Sequence, residues 1–284
     1  FTRQGQAIRI SATNQLDRHG RYLYLYRTQH ASLNMTGRNP NKKILIVGPS
    51  WVGDMVMAQS LFIAIKQQYP ESTIDVLAMD WTRPLLQRMP EVNQAISMPI
   101  SHGIFGWNMR KKLGQSLRDK RYDQAIVLPN SWKSALIPWF AKIPLRTGWL
   151  GEYRYGLLND ARKLDKQALP MMVERFVALA HPASLSRTPP VYEAPLMLAE
   201  PANEAINPKR QSDGQKRLIL CPGAEFGPAK QWPTSHYAAL ADFFLTSGWQ
   251  VLILGSKADV STAEEIIHLS REQSNNLISL AGLT

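Results

Sequence analysis

Cysteine is nearly absent. Cys221 stands alone among 284 residues, so no intramolecular disulfide can form, a composition that fits a reducing compartment. No apolar run approaches the roughly 18 residues that a membrane-spanning helix requires. Metal-ligand patterns are missing too: there is no Asp-x-Asp pair, and His19, His30, His102, His181, His236 and His268 show no i, i+4 pairing, so no metal or other cofactor is expected. Neither a Gly-x-Ser-x-Gly elbow nor a Gly-x-Gly-x-x-Gly fingerprint occurs, which weighs against hydrolase and dehydrogenase chemistry. No repeat at solenoid spacing is seen.

Acidic residues are the next scarcity. Lys and Arg number 33 against 22 Asp and Glu, a formal charge of +11. The excess is uneven: residues 1–43 hold Arg3, Arg9, Arg18, Arg21, Arg27, Arg38, Lys42 and Lys43 against Asp17, which is +7 and leaves +4 for the rest. The body is only mildly basic and carries no nucleic-acid signature, so a nucleic-acid partner is not expected. The leader's longest apolar stretch, Tyr22 to Tyr26, is too short for a signal-peptide core. Residues 1–41 read as a basic, disordered leader, with Phe1 to Asn34 read as upstream sequence ahead of Met35. The alternative is a basic arm on anionic lipid.

What is present is concentrated in two loops. After the apolar run Lys43–Val47 comes Gly48-Pro49-Ser50-Trp51-Val52-Gly53-Asp54, the spacing of a phosphate loop with the wrong charge. Asp54 stands where a P-loop has lysine, and Met55 where it has a hydroxyl. A carboxylate there repels phosphate. At the tip of a buried strand it can instead accept a proton from a neutral hydroxyl, because an aspartate is ionised at neutral pH. The structural alternative is first-turn capping of the helix Met55–Gln68. The second loop, Pro222 to Pro233, follows the strand Arg217–Cys221, is glycine-rich and carries Lys230. Two strand-loop-helix units, one acidic and one basic, imply a neutral acceptor in one and an anionic donor in the other.

GPSWVGDM at Gly48–Met55, PNSWKSALIPWFAKIPLRTGW at Pro129–Trp149, GEYRYGLLND at Gly151–Asp160 and PGAEFGPAKQWP at Pro222–Pro233 closely resemble the ADP-heptose:lipopolysaccharide heptosyltransferases of glycosyltransferase family 9. The resemblance runs from about Lys42 to the last residue. It implies an α/β, GT-B architecture of two Rossmann-like parallel-sheet domains facing a cleft, with acceptor on the first and nucleotide sugar on the second. The reaction implied moves heptose from ADP-L-glycero-D-manno-heptose onto the first heptose of the lipopolysaccharide inner core (heptosyl-Kdo2-lipid A), with inversion and without metal. The location implied is cytoplasmic, peripheral at the inner face of the inner membrane. Alternatives within the same frame are a relative acting on another acceptor, or a non-catalytic lipopolysaccharide-binding fragment.

On this reading Asp54 is the base and Lys230 stabilises departing ADP. Gly223, Ala224, Glu225 and Gly227 join Lys230 around the donor, their amides and the next helix N-terminus facing the pyrophosphate. Ser50, Trp51 and Gly53, with Asn130, Ser131 and Lys133, are assigned to the acceptor by resemblance; for Ser131 helix capping is the competing reading. Arg110, Lys111, Lys112, Arg118, Lys120 and Arg121 form a basic run opposed by Asp119, read either as a solvated helix face or as docking at an anionic membrane surface.

Alternating apolar runs and helical patterns place strands near 43–48, 73–78, 94–98, 123–128 and 145–149, with helices near 54–68, 82–89, 107–120, 132–141 and 170–180. Residues 42–181 form the acceptor domain. The stretch 182–215 holds Pro182, Pro189, Pro190, Pro195, Pro201 and Pro208 and reads as linker. Residues 216–284 form the donor domain, with strands near 217–221, 249–254 and 277–281 and helices near 235–247 and 260–272. Three strands are few for such a domain, so the chain is expected to be truncated at its C-terminus and incomplete.

Overall fold

The computed structural model describes residues 12–16, 22–26, 41–100, 104–183, 214–224, 228–272 and 274–283. The chain divides into two compact units, Phe1–Met197 and Leu198–Thr284. The division falls in the proline-rich stretch, most of which (184–213) lies outside the described residues, as does most of the leader. Within the leader, β1 (Ala12–Leu16) and β2 (Tyr22–Tyr26) pair antiparallel, with Ala12 opposite Tyr26. This departs from the disorder read from composition. The alternating Tyr-Leu-Tyr-Leu-Tyr of β2 is strongly strand-forming.

The body of the first unit is a parallel sheet of β3 (Lys43–Val47), β4 (Thr73–Ala78), β5 (Gln94–Ser97), β6 (Gln124–Val127), β7 (Leu145–Trp149) and β8 (Asp160–Arg162) in the order β5-β4-β3-β6-β7-β8. Strands covered on both faces read as unbroken apolar runs. Ile44 and Ile46 turn to one core with Ile74, Val76 and Ile126, while Leu45 and Val47 turn to the other with Leu77, Ala125 and Val127. The first core is closed by α1 (Val52–Gln68), packed against α5 (Met172–Ala178). α3 (Trp107–Ser116) and α4 (Leu136–Phe140) close the second, and the short α2 (Arg83–Leu86) follows β4. The strand order reverses between β3 and β6, and it is outside the carboxyl ends of such a pair that a ligand crevice forms.

Local chemistry sets the element ends. α4 is preceded by a 3-10 turn, Trp132–Ala135, and α3 gives way to another at Arg118–Lys120, so both helices are shorter than their apolar periodicity implies. α5 starts only after Met171, whose amide donates to the Glu174 carboxylate at 2.9 Å. β8 has no apolar alternation to announce it. Polar contacts set its place: Thr147 donates to Asp160 at 3.0 Å, Gln124 donates to Thr147 at 2.8 Å, and Asp160 pairs with Arg162 at 2.6 Å. α3 and α4 approach closely at Gly114, where a Cβ would lie 2.5 Å from the Phe140 Cβ and 2.7 Å from the Ile137 carbonyl.

Arg154, between β7 and β8, is wholly buried. One terminal nitrogen donates to the Pro129 carbonyl at 2.6 Å and the Ser134 hydroxyl at 3.2 Å, and the other to the Trp149 carbonyl. Burial, the largest influence, pushes its guanidinium down to about 10, with the Glu152 charge opposing. The segments following β6 and β7 are thereby tied together.

The second unit has β9 (Arg217–Leu220), β10 (Gln250–Ile253) and β11 (Leu277–Ser279), parallel in the order β11-β10-β9, with α6 (Thr234–Thr246) and α7 (Val260–Leu269) packed on each other. Its core joins Leu220, Val251 and Ile253 to Ala241, Leu245 and Ile266. α7 ends earlier than its sequence pattern because Asp242 accepts from the Ser270 hydroxyl at 2.5 Å and the Arg271 amide at 3.1 Å.

Three outcomes follow for urea denaturation. Gly114→Ala costs about 1–3 kcal/mol through overpacking, whereas Gly53→Ala, with nothing within 4 Å of the new Cβ, is neutral or stabilising by up to about 1 kcal/mol. Arg154→Lys keeps the charge but cannot serve three acceptors in two directions, so it costs about 2 kcal/mol or more. A lysine variant with the parent's midpoint would show that the fork carries no weight.

Candidate active site

A cavity of about 360 Å³ opens at the carboxyl ends of β3 and β6. From the β3 side Ser50, Trp51 and Asp54 line it, and from the β6 side Asn130, Ser131 and Lys133 do. Met79, Met98 and Ile100 supply an apolar wall, and α5 adds Met172 and Phe176. Gly53 does not line the cavity and is exposed, so of the acceptor-side residues it is the one that the fold leaves outside.

The β3 loop is held by backbone. The Gly48 amide donates to the Leu77 carbonyl at 2.9 Å, and the Trp81 indole donates to the Ser50 carbonyl at 2.8 Å. Gly48 is tightly enclosed: a Cβ would lie 2.7 Å from the Met55 methyl, which would have to shift, and 3.3 Å from the Leu77 carbonyl oxygen. Asp54 is the third residue of α1, in its first turn, where the helix dipole favours a carboxylate. The helix N-cap, Trp51, makes no side-chain cap bond, and the Asp54 carboxylate has no hydrogen-bond or ion-pair partner among the described residues. The capping alternative is therefore limited to the dipole.

The β6 loop is held by polar groups, buried and exposed. Beyond the Arg154 clamp, the Ser134 hydroxyl contacts the Pro129 carbonyl at 3.0 Å, and the Trp132 amide donates to the Glu152 carboxylate at 2.6 Å. Gly151 passes so close that a Cβ would lie 2.9 Å from the Asn130 carbonyl. Ser131 occupies an N-cap position but makes no cap bond, so its hydroxyl is not the capping oxygen of the short helix.

Arg110 is the residue that sequence reasoning misassigned. Placed with a basic run read either as a solvated helix face or as a membrane-docking surface, it is instead 5% exposed and lines the cavity. Its guanidinium donates to the carbonyls of Phe105 at 2.7 Å, Lys133 at 3.3 Å and Ile104 at 3.4 Å. Burial lowers its pKa from the ordinary arginine value. The signal was available: Arg110, Leu113, Gly114 and Leu117 share the i, i+3, i+4, i+7 stripe that packs inward. Arg110 and Lys133 make the cavity a place where an anionic group is favoured near one carboxylate.

The donor-side residues lie in the second unit. Gly223 and Ala224 follow β9, and Lys230 ends a 3-10 turn, Pro228–Lys230, ahead of α6. Glu225 and Gly227 lie outside the described residues. The missing Cβ of Gly223 makes room for the Asp259 carboxyl group, which would sit 2.6 Å from it. Asp259 accepts from the amide of Ser256 at 2.7 Å and its hydroxyl at 2.8 Å, so the loops after β9 and β10 meet at one carboxylate. Sequence reasoning missed this pair, although Ser256-x-x-Asp259 after a strand has capping-box spacing. Among the described residues no three His, Cys, Asp or Glu side chains group as metal ligands, and no helix is long and apolar enough to cross a membrane.

The family model for glycosyltransferase family 9 (heptosyltransferase) matches residues 110–284. Lipopolysaccharide heptosyltransferase 2 of Salmonella typhimurium is 53% identical over 249 residues, which is 85% of this chain and 72% of that protein. The Escherichia coli protein of the same name is 51% identical with the same coverage. Among solved structures, the E. coli ADP-heptose lps heptosyltransferase II is matched with a TM-score of 0.76 at 49% identity, covering 85% of this chain and 73% of that one. A family 9 glycosyltransferase from Veillonella parvula gives a TM-score of 0.74 at 16% identity over 86% of this chain and 70% of that one, a likeness of fold alone. With a six-stranded parallel sheet in the first unit and a smaller three-stranded one in the second, the fold is of the α/β, GT-B kind, and the chain belongs to glycosyltransferase family 9, the heptosyltransferases.

Proposed function

We propose that the protein transfers heptose from ADP-L-glycero-D-manno-heptose to the first heptose of the lipopolysaccharide inner core, with inversion, at the cytoplasmic face of an anionic membrane. The observation that carries the reading is the Asp54 carboxylate, without a hydrogen-bond or ion-pair partner among the described residues, facing a cavity that Arg110 and Lys133 make cationic. The names of the relatives in two organisms support the sugar and the acceptor.

In this reading the acceptor hydroxyl oxygen attacks the anomeric carbon, the bond from that carbon to the ADP oxygen breaks, and ADP leaves with the electron pair. Asp54 takes the hydroxyl proton as the oxygen becomes acidic in the transition state. Lys230 and the amides of the Gly223 loop receive the charge on ADP, so the reading calls for no metal or other cofactor. Arg110 and Lys133 hold an acidic substituent of the inner core, while Ser50, Trp51, Asn130 and Ser131 contact the acceptor sugar. The apolar wall of Met79, Met98 and Ile100 keeps water from the reacting carbon.

Three outcomes test the assignment, all read by transfer to lipopolysaccharides with cores truncated at successive sugars. Asp54→Asn keeps ADP-heptose affinity and loses about 100- to 10,000-fold in turnover; a rate within about threefold of the parent would remove Asp54 from the base role. Lys230→Ala weakens ADP affinity and turnover together, with only partial recovery in Lys230→Arg, since a planar fork does not replace a compact ammonium. If both quantities stay at parent values, the donor pyrophosphate is held elsewhere. Arg110→Lys raises the acceptor KM about tenfold for a phosphorylated core and far less for a dephosphorylated one, because two-pronged recognition is lost. An equal effect on both cores would make Arg110 a structural residue only.

A further inference from the structure

The edge formed by α3, α4 and the segment entering α3 carries a surface that the transfer chemistry does not use. Ile104, Phe105, Trp107, Met109 and Trp139 are between 41% and 50% exposed. Scattered exposed apolar residues are ordinary, but a contiguous group is not, and here the rings touch in series. Phe105 stacks on Trp107 with centroids 6.0 Å apart and on Trp132 at 6.1 Å; Trp107 meets Phe140 edge-on at 5.2 Å, and Phe140 meets Trp139 at 4.9 Å.

Beside Trp139 lies an open groove whose lining includes Lys111, Arg118, Lys142 and Arg146 and no carboxylate. Two of these cations are fixed. Arg118 donates to the Phe140 carbonyl at 2.9 Å, and Arg146 donates to the carbonyls of Leu157 and Ile143, both at 2.6 Å. Lys142 follows α4 with φ of 56°, a left-handed position that glycine ordinarily takes at a helix end. A long cation at a site suited to glycine, next to a half-exposed indole, is a combination that chain geometry alone does not call for.

We propose that this edge seats the protein on a bilayer rich in anionic phospholipid, with Trp107, Met109 and Trp139 entering the headgroup layer and Lys111, Arg118, Lys142 and Arg146 pairing with lipid phosphates. Indole rings favour the interface because one end is apolar and the other wet, and long cations reach from apolar surface to charged headgroups. Charge complementarity selects the occupant: four cations with no carboxylate among them suit a phosphate-bearing surface. The surface also adjoins the cavity. Ile104 and Phe105, whose carbonyls hold the cavity-lining Arg110, carry part of the patch, and Trp132, on which Phe105 stacks, stands between Ser131 and Lys133 of the lining. The inference rests on the proposed function only for its purpose, the delivery of a lipid-linked sugar; the lipid binding stands apart from it.

The test is flotation of the full chain and its variants with phosphatidylcholine vesicles, with and without phosphatidylglycerol, at low and high salt. The amino-terminal basic run is the same in every variant. The parent binds the anionic vesicles and loses binding with salt. Lys111→Gln and Lys142→Gly each lower binding about fivefold, and Trp139→Ser lowers it about tenfold. Lys142→Gly relieves a left-handed backbone, so its thermal midpoint equals or exceeds the parent's, and weaker binding by that variant is not a folding defect. Equal binding to neutral and anionic vesicles, or unchanged binding by Lys142→Gly and Trp139→Ser, overturns the proposal. So does a Trp139-dependent dimer in sedimentation velocity, which would make the patch a contact between copies. Transfer to a deacylated, water-soluble core stays at the parent rate in all three variants. Vesicle binding without transfer by the parent would refute the proposed function and leave the lipid surface standing; transfer without vesicle binding would do the reverse.

Discussion

A guanidinium removed from water has to find acceptors in protein, and Arg154 finds them on segments that follow different strands: Pro129 and Ser134 after β6, and Trp149 at the end of β7. Its charge is tolerable in the interior only if those segments arrive together, because an uncompensated buried cation costs several kcal/mol. The fall of its pKa to about 10 expresses the same cost in another quantity. The loop from Asn130 to Lys133 is thereby set at the mouth of the sheet, and Gly151 can slide against Asn130 because it has no side chain. One side of the cavity is thus fixed by a buried charge and its acceptors.

The rest of the site follows from how charge is distributed around that loop. Arg110 enters from α3 with its donors partly occupied by carbonyls, so its orientation is set before any ligand arrives. Asp54 is the opposite case, a first-turn carboxylate that the helix dipole favours and that no described side chain neutralises. In the proposed reading, this preorganised cation and uncommitted carboxylate facing the same space bind a charged sugar and take up a proton from it without rearranging. The second unit repeats the device in miniature. Asp259 joins the loops after β9 and β10, and Gly223 is the residue small enough to let it.

Legibility varied with physical cause. Strands buried on both faces are mostly apolar, so β3, β4, β6 and β10 were plain in the sequence despite Asp75 in β4 and Gln124 in β6. β8 was not, because Asp160-Ala-Arg162 holds its place through Thr147 and the Asp160–Arg162 pair, contacts made with residues distant in the chain or masked as ordinary charges. Helix ends were blurred where remote side chains capture them, as Asp242 does at the end of α7. Of the candidate site, both loops could be found from glycine spacing and the positions of Asp54 and Lys230. Arg110 was hidden in a basic run, since charge composition masked the helical stripe it shares with Leu113, Gly114 and Leu117.

By itself the sequence determined which segments become strands and helices, that strand and helix alternate into parallel sheets, and which loops carry an acid, a lysine and glycines. These are local matters of period, turn chemistry and residue type. Only the tertiary structure decided that the loops after β3 and β6 share one cavity, that Arg110 reaches it, and that Gly53 stays outside. The reason is that strand order and the direction of each helix face depend on contacts between residues far apart in the chain, and no local pattern encodes which distant partner a buried charge will find.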